Sequence, residues 1–162
     1  MKIPFSLPLI DKHVNQEVFS CLNETGWITS GPKVKLFEHE ITQLCQTSST
    51  ICVNSWTSGM LLLIKWLNLS DDDEIIVPTY TYAATALAVI NSNVKCIFVD
   101  VNDDFTISIN EIEKAITKNT KAIMPVDLGG FPADYKALKS LLNKESIKKK
   151  FTPKTAFQKK IG

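Results

Sequence analysis

Three hydroxyl side chains cluster where an apolar run gives way to a helical stretch. Ser55, Thr57 and Ser58 follow the run 51–53 and lead into the apolar residues 60–64. A helix beginning near Thr57 would present unbonded backbone N–H groups and the positive end of its dipole, which together favour a phosphate or another anion. Serine and threonine are equally ordinary helix caps. The residues alone therefore leave an anion site and a structural cap both open.

Two further strand ends carry aromatic or acidic residues. Tyr80 and Tyr82 follow an apolar run closed by Pro78, and an aromatic ring at such a position can stack on a planar ligand or pack into the core. Asp127 follows the run 120–126, where its carboxylate would either orient a ligand group or cap the turn before Gly129. The segment near Ser55 is neither a P-loop nor a G-x-G-x-x-G, so the sequence gives no specific support for nucleoside triphosphates or dinucleotides.

Strands alternate with helices from residue 50 onward. The spacing predicts strands over Thr50–Val53, Glu74–Val77, Val94–Val99 and Thr120–Val126. It predicts helices over Thr57–Leu67, Thr81–Ile90 and Asn110–Ile116, with a further helix from Asp134. This alternation is typical of an α/β fold, a mixed and mostly parallel sheet with helices on both faces. Such sheets bind ligands at the carboxyl ends of their strands.

The first fifty residues are predicted to form two helices joined by a loop. Gly26 is a plausible stop for the first helix and Pro32 a favoured first-turn residue for the second. The second helix is expected to bury a stripe made of Val34, Phe37, Ile41, Leu44 and Cys45. The loop between the helices contains Trp27 and Thr29, and loops that combine an aromatic with hydroxyls often carry function.

The charges are unevenly distributed along the chain. Eighteen lysines, no arginine and 17 acidic residues give the 162-residue chain a net charge of +1. Residues 136–162 hold nine lysines and one acid, Glu145, and so carry +8. Such an end is either a nucleic-acid arm or a solvated surface. Arginines and interleaved aromatics are scarce in it, so we expect an exposed, solvated segment without nucleic-acid binding.

Composition also indicates the compartment. No apolar run is long enough for a membrane span, and the first residues lack the apolar region of a signal peptide. The four cysteines form no C-x-x-C pair, and three of them lie inside apolar runs, which is typical of small, buried thiols in a reducing compartment. His13 and His39 lack ligand-spaced partners, so no metal site is expected. These features predict a cytoplasmic protein that does not bind membranes.

Six motifs in order carry a family resemblance. They lie at residues 26–32 with Phe37-Glu38, 53–59, 73–78, 81–86, 98–101 and 120–126. The chain resembles the N-terminal part of the DegT/StrS-type nucleotide-sugar aminotransferases, pyridoxal-phosphate enzymes of the aspartate-aminotransferase fold. The resemblance implies an incomplete large domain of that fold, in which later strands insert between the early ones.

The resemblance also implies roles for individual residues. Thr57 and Ser58 correspond to the site of the cofactor phosphate, and Tyr82 to the aromatic stacked on the pyridine ring. Asp127 stands near cofactor and substrate, where many relatives have histidine. Trp27 and Thr29 would lie near the substrate and the subunit contact. The complete enzyme would be a homodimer that uses pyridoxal 5'-phosphate, a nucleotide-linked keto-sugar and an amino donor such as glutamate, in cell-surface polysaccharide biosynthesis.

The family's two central catalytic groups have no counterpart in the chain. The Schiff-base lysine and the aspartate paired with the pyridine nitrogen both lie further along in relatives, beyond the position matching Gly162. We therefore expect no catalytic residue here, and a fragment that is inactive alone. The expected division is a helical segment 1–49, a partial cofactor-binding domain 50–142 and a lysine-rich tail 143–162. Two alternatives stay open, namely a non-catalytic module that binds a phosphate ligand or completes a subunit, and a fragment of a related pyridoxal-phosphate sugar dehydratase.

Overall fold

The computed structural model describes residues 6–161, of which Ile161 by its backbone only. The chain forms two compact units, Met1–Val53 and Asn54–Gly162. The expected division into three segments stays a prediction. No helix within 6–161 is both long and apolar enough to cross a membrane.

The first unit holds two helices and the loop between them. Helix α1 spans Lys12–Ser20 and continues into a π-helical turn that ends at Gly26, whose φ of +65° is easy for glycine. Helix α2 spans Pro32–Cys45 and has proline in its first turn, as predicted. The predicted buried stripe of α2 is wrong: none of its residues is buried, and Leu44 is 77% exposed. Val34 and Ile41 are half-buried, whereas Phe37, Leu44 and Cys45 are exposed.

The second unit is built on a three-stranded parallel sheet. Its strands are β1 (Glu74–Pro78), β2 (Lys95–Val99) and β3 (Thr120–Ile123), in the order β2-β1-β3. Its helices are α3 (Trp56–Trp66), α4 (Ala83–Ile90), α5 (Ile109–Ala115), α6 (Tyr135–Leu142), α7 (Glu145–Lys148) and α8 (Ala156–Ile161). The observed order confirms the expected α/β class with helices covering a parallel sheet.

Alternate residues of β1 point into two separate cores. Ile76 packs with apolar residues of α5, α6 and α7, among them Ile112 and Leu141. Ile75 and Val77 pack on the other face, against α3 and α4, through residues such as Ile64. All five β1 residues are buried, as a central parallel strand with helices on both faces requires.

Two predicted strands differ from the structure. Residues 50–53 form no strand, and Ile51 is 79% exposed, because no described strand pairs with them. Strand β3 ends at Ile123 rather than at Val126. Only Met124 extends the ladder, donating its N–H to the Ile76 carbonyl at 2.9 Å, and Pro125 has no N–H to offer.

The cysteines and the basic end also differ from expectation. The four cysteines are free but none is fully buried, and Cys45 is exposed. Residues 143–161 are not a uniformly solvated segment, because they form α7 and α8 and bury Ile147 and Gln158. The lysine count was misleading here, because Lys150 and Lys154 bind groups of the second unit while Ile147 and Gln158 pack inward.

Candidate functional site

The carboxyl ends of the three strands share one edge of the sheet. Pro78 of β1 pairs with Val99 of β2, and the next residue, Thr79, donates its N–H to the Val99 carbonyl at 2.9 Å. The Thr79 hydroxyl also lies 3.4 Å from a carboxylate oxygen of Asp100. Parallel strands bring the residues that follow them to a common edge, so the loops after β1, β2 and β3 open there.

Helices α3 and α4 begin at this same edge. Both pack on one face of β1 through apolar residues such as Met60, Ile64 and Val89. Helix α4 connects two adjacent parallel strands, so it runs opposite to them. Helix α3 enters β1 through the short connection 67–73, and its length of roughly 16 Å matches that of a five-residue strand. Each helix therefore directs its N-terminus toward the carboxyl edge.

Ser55 caps α3 and leaves two backbone donors unbonded. The Ser55 Oγ accepts from the Ser58 N–H at 3.1 Å and donates to the Ser58 Oγ at 2.9 Å. The Gly59 N–H reaches the Ser55 carbonyl at 3.1 Å. Within 6–161, the backbone N–H groups of Trp56 and Thr57 have no partner. The sequence left a structural cap and an anion site both open at this helix start. The structure has Ser55 as the cap and also leaves backbone donors in a geometry that could bind an anion.

Tyr82 presents its ring at the start of α4. It occupies the N-cap position with φ −65° and ψ 139°, makes no side-chain cap bond, and is 81% exposed. Tyr80, which only the family resemblance separated from Tyr82, packs its ring against Phe105 with centroids 5.0 Å apart. Of the two tyrosines, Tyr82 is therefore the one whose ring is free to stack on a ligand.

Asp127 braces the loop that follows β3. Its Oδ1 accepts from the Ala133 N–H at 3.0 Å and from the Tyr135 hydroxyl at 2.9 Å. Partial burial and this hydrogen bond raise the pKa of Tyr135 above its usual value. The loop turns through Gly129 and Gly130, both at positive φ. Of the two roles that the sequence left open for Asp127, these contacts match stabilisation of the turn. A role in binding a cofactor stays a prediction.

Trp27 and Thr29 lie in the first unit. The Trp27 carbonyl accepts from the Cys21 Sγ at 3.0 Å, and the Trp27 side chain is 55% exposed. A Cβ added to Gly31 would lie 2.6 Å from the Trp27 Cβ, so only glycine fits there without a shift. Thr29 is exposed and makes no hydrogen bond with other described residues. The substrate role of both residues stays a prediction.

A cavity of about 650 Å³ lies elsewhere in the second unit. It runs beside β3, between that strand and α6 and α7, and its lining includes Ile123, Leu138 and Phe151. None of the predicted site residues lines it. This lining, rather than the size of the cavity, decides against it as the predicted site.

Comparisons with known proteins agree with these features. The sequence profile of the DegT/DnrJ/EryC1/StrS aminotransferase family matches residues 8–148. The spore coat polysaccharide biosynthesis protein SpsC of Bacillus subtilis (strain 168) is 37% identical over 138 residues, which are 84% of this chain and 35% of SpsC.

Solved structures match over nearly the whole chain. Spr1654 from Streptococcus pneumoniae, described as a sugar aminotransferase and solved in PMP, PLP and apo forms, superposes with a TM-score of 0.90 at 36% identity. The match covers 98% of this chain and 40% of Spr1654. A GDP-4-keto-6-deoxymannose-3-dehydratase superposes with a TM-score of 0.83 at 25% identity, over 90% of this chain and 39% of that one. The chain thus spans well under half the length of the relatives it matches.

Proposed function

Because the chain belongs to the DegT/DnrJ/EryC1/StrS aminotransferase family, we propose that it supplies the phosphate-binding and ring-stacking part of a sugar aminotransferase's cofactor site. The whole protein would use pyridoxal 5'-phosphate to aminate a nucleotide-linked keto-sugar, with glutamate or a similar amino donor. We further propose that the whole protein is a cytoplasmic homodimer and that it acts in polysaccharide biosynthesis. The observation that carries it is the pair of unbonded N–H groups at the start of α3 on the edge where Tyr82 is exposed.

The residues present suit the two ends of the cofactor. The Trp56 and Thr57 N–H groups and the hydroxyls of Thr57 and Ser58 are donors for a phosphate, in the positive field at the helix start. The exposed ring of Tyr82 is available to stack on a pyridine ring. When bound, pyridoxal phosphate supplies the electron sink that amino-group transfer needs. The chain's own part is to bind and orient that group.

In this proposal, the remaining catalytic groups are supplied by parts of the protein outside this chain. Asp127 is poorly suited to pair with the pyridine nitrogen, since its Oδ1 already accepts two hydrogen bonds in the loop brace. We place both the covalent lysine and the acid facing the ring nitrogen outside these 162 residues, as the family resemblance implies. The chain alone is then a binding element without activity.

Titration of the 162-residue chain with pyridoxal phosphate tests the binding role. We expect saturable binding that inorganic phosphate competes away. Thr57→Val removes a donor to the phosphate and Tyr82→Ala removes the stacking ring, so both should weaken binding. Leu87→Ala, which alters an exposed side chain further along α4, is the matched control and should bind as the unchanged chain does. Binding that neither Thr57→Val nor Tyr82→Ala alters would contradict the proposed site.

The dehydratase alternative has weaker support. The matched dehydratase is 25% identical with a TM-score of 0.83, against 36% and 0.90 for Spr1654. The two reactions are distinguished by product analysis of the longer protein: amination of the keto-sugar supports the aminotransferase, and loss of a sugar hydroxyl without amination supports the dehydratase.

A further inference from the structure

Residues 150–161, which we name the C-terminal strap, are held at two places. The first is the side of β3, where lysine ammonium groups bind backbone carbonyls. The Lys121 Nζ donates to the Thr152 carbonyl at 2.8 Å and lies 5.2 Å from the centroid of the Phe151 ring. The Lys150 Nζ donates to the Ile116 carbonyl at 3.0 Å. The start of the strap is therefore fastened to β3 and to the end of α5.

The second place is the connection between α3 and β1. Phe157 packs edge-on against Trp66 at the end of α3, with ring centroids 4.8 Å apart. Gln158 is 2% exposed, and its Oε1 accepts from the Lys154 N–H at 2.7 Å. Its Nε2 lies 3.4 Å from the Asp73 Oδ2. Both halves of the Gln158 amide are thus engaged, one within the strap and one toward Asp73.

Asp73 is a fully buried carboxylate at this second place. Its Oδ2 accepts from the Ser70 N–H at 2.9 Å and from the Ser70 hydroxyl at 3.1 Å. Its Oδ1 lies 2.8 Å from the Lys154 Nζ, and the two groups form an ion pair. In the described part of the chain, Lys154 is the one cation paired with Asp73. Losing Lys154 while Asp73 stays buried would leave this charge with the Ser70 and Gln158 hydrogen bonds but without its paired cation, and a buried carboxylate without a paired cation is costly.

We propose that the strap is a distinct structural element whose docking depends on the contacts of Asp73 with Lys154 and Gln158, which we name the latch. When the latch is lost, the strap opens locally. The latch lies at the amino end of β1, the end opposite to the candidate cofactor site. The inference is independent of the proposed function. It replaces the expectation of a solvated basic tail with that of an ordered element whose docking depends on one buried charge.

Hydrogen exchange of the 162-residue chain, followed by mass spectrometry of peptides within 150–161, tests the latch. In Lys154→Met the strap should exchange at least about tenfold faster, as expected from losing a charged contact. The double variant Asp73→Asn/Lys154→Met removes the buried charge together with its partner, so exchange should return toward that of the unchanged chain. Lys159→Met is the matched control, because Lys159 lies within the strap on α8, is exposed, and has a side chain without a partner among the described residues. Its exchange should stay within about twofold of the unchanged chain.

Three outcomes would overturn the proposal. One is a strap that exchanges as fast as an unstructured peptide in the unchanged chain. Another is an equal effect of Lys154→Met and Lys159→Met. The third is faster exchange that spreads equally to β1 and β2, since the strap would then not open as a separate element. If Asp73→Asn prevents folding, Gln158→Ala is compared with Lys159→Met instead. Faster exchange of the strap in Gln158→Ala supports the latch, and equal exchange in the two variants overturns it.

Discussion

Ser55 and Thr57 allow the structural and the ligand-binding roles of the α3 start to be separated. Ser55→Ala removes the acceptor that the Ser58 N–H reaches at 3.1 Å, and losing such a cap costs about 1 kcal/mol. Because α3 packs Ile64 into the core, that cost should appear in the stability of the second unit. For a chain of this size it corresponds to a fall of roughly 2–4 °C in Tm.

Thr57→Val should show the opposite pattern. The Thr57 hydroxyl has no hydrogen-bond partner among residues 6–161, so its removal should change the free energy of unfolding by less than about 0.5 kcal/mol. A hydrogen bond to a charged phosphate is worth about 1.5–3 kcal/mol, and losing it should weaken the affinity for pyridoxal phosphate about tenfold or more.

Two assays on the same preparations check the separation. Urea unfolding followed by tryptophan fluorescence gives the free energy of unfolding, and titration with pyridoxal phosphate gives Kd. The reasoning is refuted if Thr57→Val destabilises the chain as much as Ser55→Ala while leaving Kd unchanged. The Thr57 side chain would then be a structural cap and not a ligand contact.

Three further predictions concern the rest of the second unit. Ile112→Ala truncates a fully buried core residue and should lower the free energy of unfolding by about 2–5 kcal/mol, whereas the exposed Leu62→Ala should lower it far less; equal losses in urea unfolding would contradict the core assignment. Asp127→Asn should lower the raised pKa of Tyr135, as measured by phenolate absorbance with Tyr135→Phe to assign the signal; an unchanged titration would contradict the brace. Burial opposes the charged form of Asp73, but Lys154 and Ser70 outweigh it and lower its pKa, so its stabilising effect is present above about pH 4 and is lost as pH falls through the lower folded pKa. The protection factor of the strap, which corrects its exchange for the intrinsic rate at each pH, should therefore fall below about pH 4 in the unchanged chain, and an equal fall in Asp73→Asn would contradict this assignment.

The central sheet was predictable because its strands are short, apolar and β-branched between clear turn residues. The runs ending at Pro78 and Val99 match β1 and β2 to within a residue at their carboxyl ends. Periodicity also located α3, α4 and α5, since their apolar residues meet the two faces of β1. These elements satisfy both their local preference and their packing, and such agreement is what sequence patterns detect.

The failures have a common physical cause, which is that sequence patterns do not show what covers a face. Residues 50–53 have a strand's composition, but a strand also needs a hydrogen-bonded neighbour. The stripe of α2 is apolar, yet none of its residues is fully buried in the structure. Gln158 had no signal at all, because a buried glutamine among lysines looks like one more surface residue. The burial of a polar residue outside any periodic apolar pattern can be recognised only when its partners, here Asp73 and Lys154, are known.

The sequence predicted the edge of the sheet at which the candidate site lies better than it predicted the hydrogen bonds of the individual site residues. Tyr82 follows β1, as the strand-end rule predicts, whereas the strand predicted to lead into α3 is not formed by residues 50–53. The capping role fell to Ser55, and the Asp127 carboxylate was committed to its own loop, because local hydrogen bonds of Ser and Asp compete with ligand contacts. Only the side-chain geometry distinguishes these uses.

Unpaired edges predict how the isolated chain behaves in solution. Strand β3 pairs with β1 on one side, and an apolar cavity lies along it. Open edges of this kind invite association with other chains. We expect the 162-residue chain to be marginally stable and prone to aggregation; sedimentation showing a monomer, together with a sharp thermal transition, would contradict this.

Borohydride reduction of the chain with bound pyridoxal phosphate, followed by peptide mapping, tests the central claim most directly. The account predicts saturable binding that phosphate displaces, with no single lysine labelled near stoichiometry among the eighteen. Stoichiometric labelling of one lysine within these 162 residues would show that the chain carries the covalent chemistry itself, and would contradict the claim that it contributes only the binding part of the site.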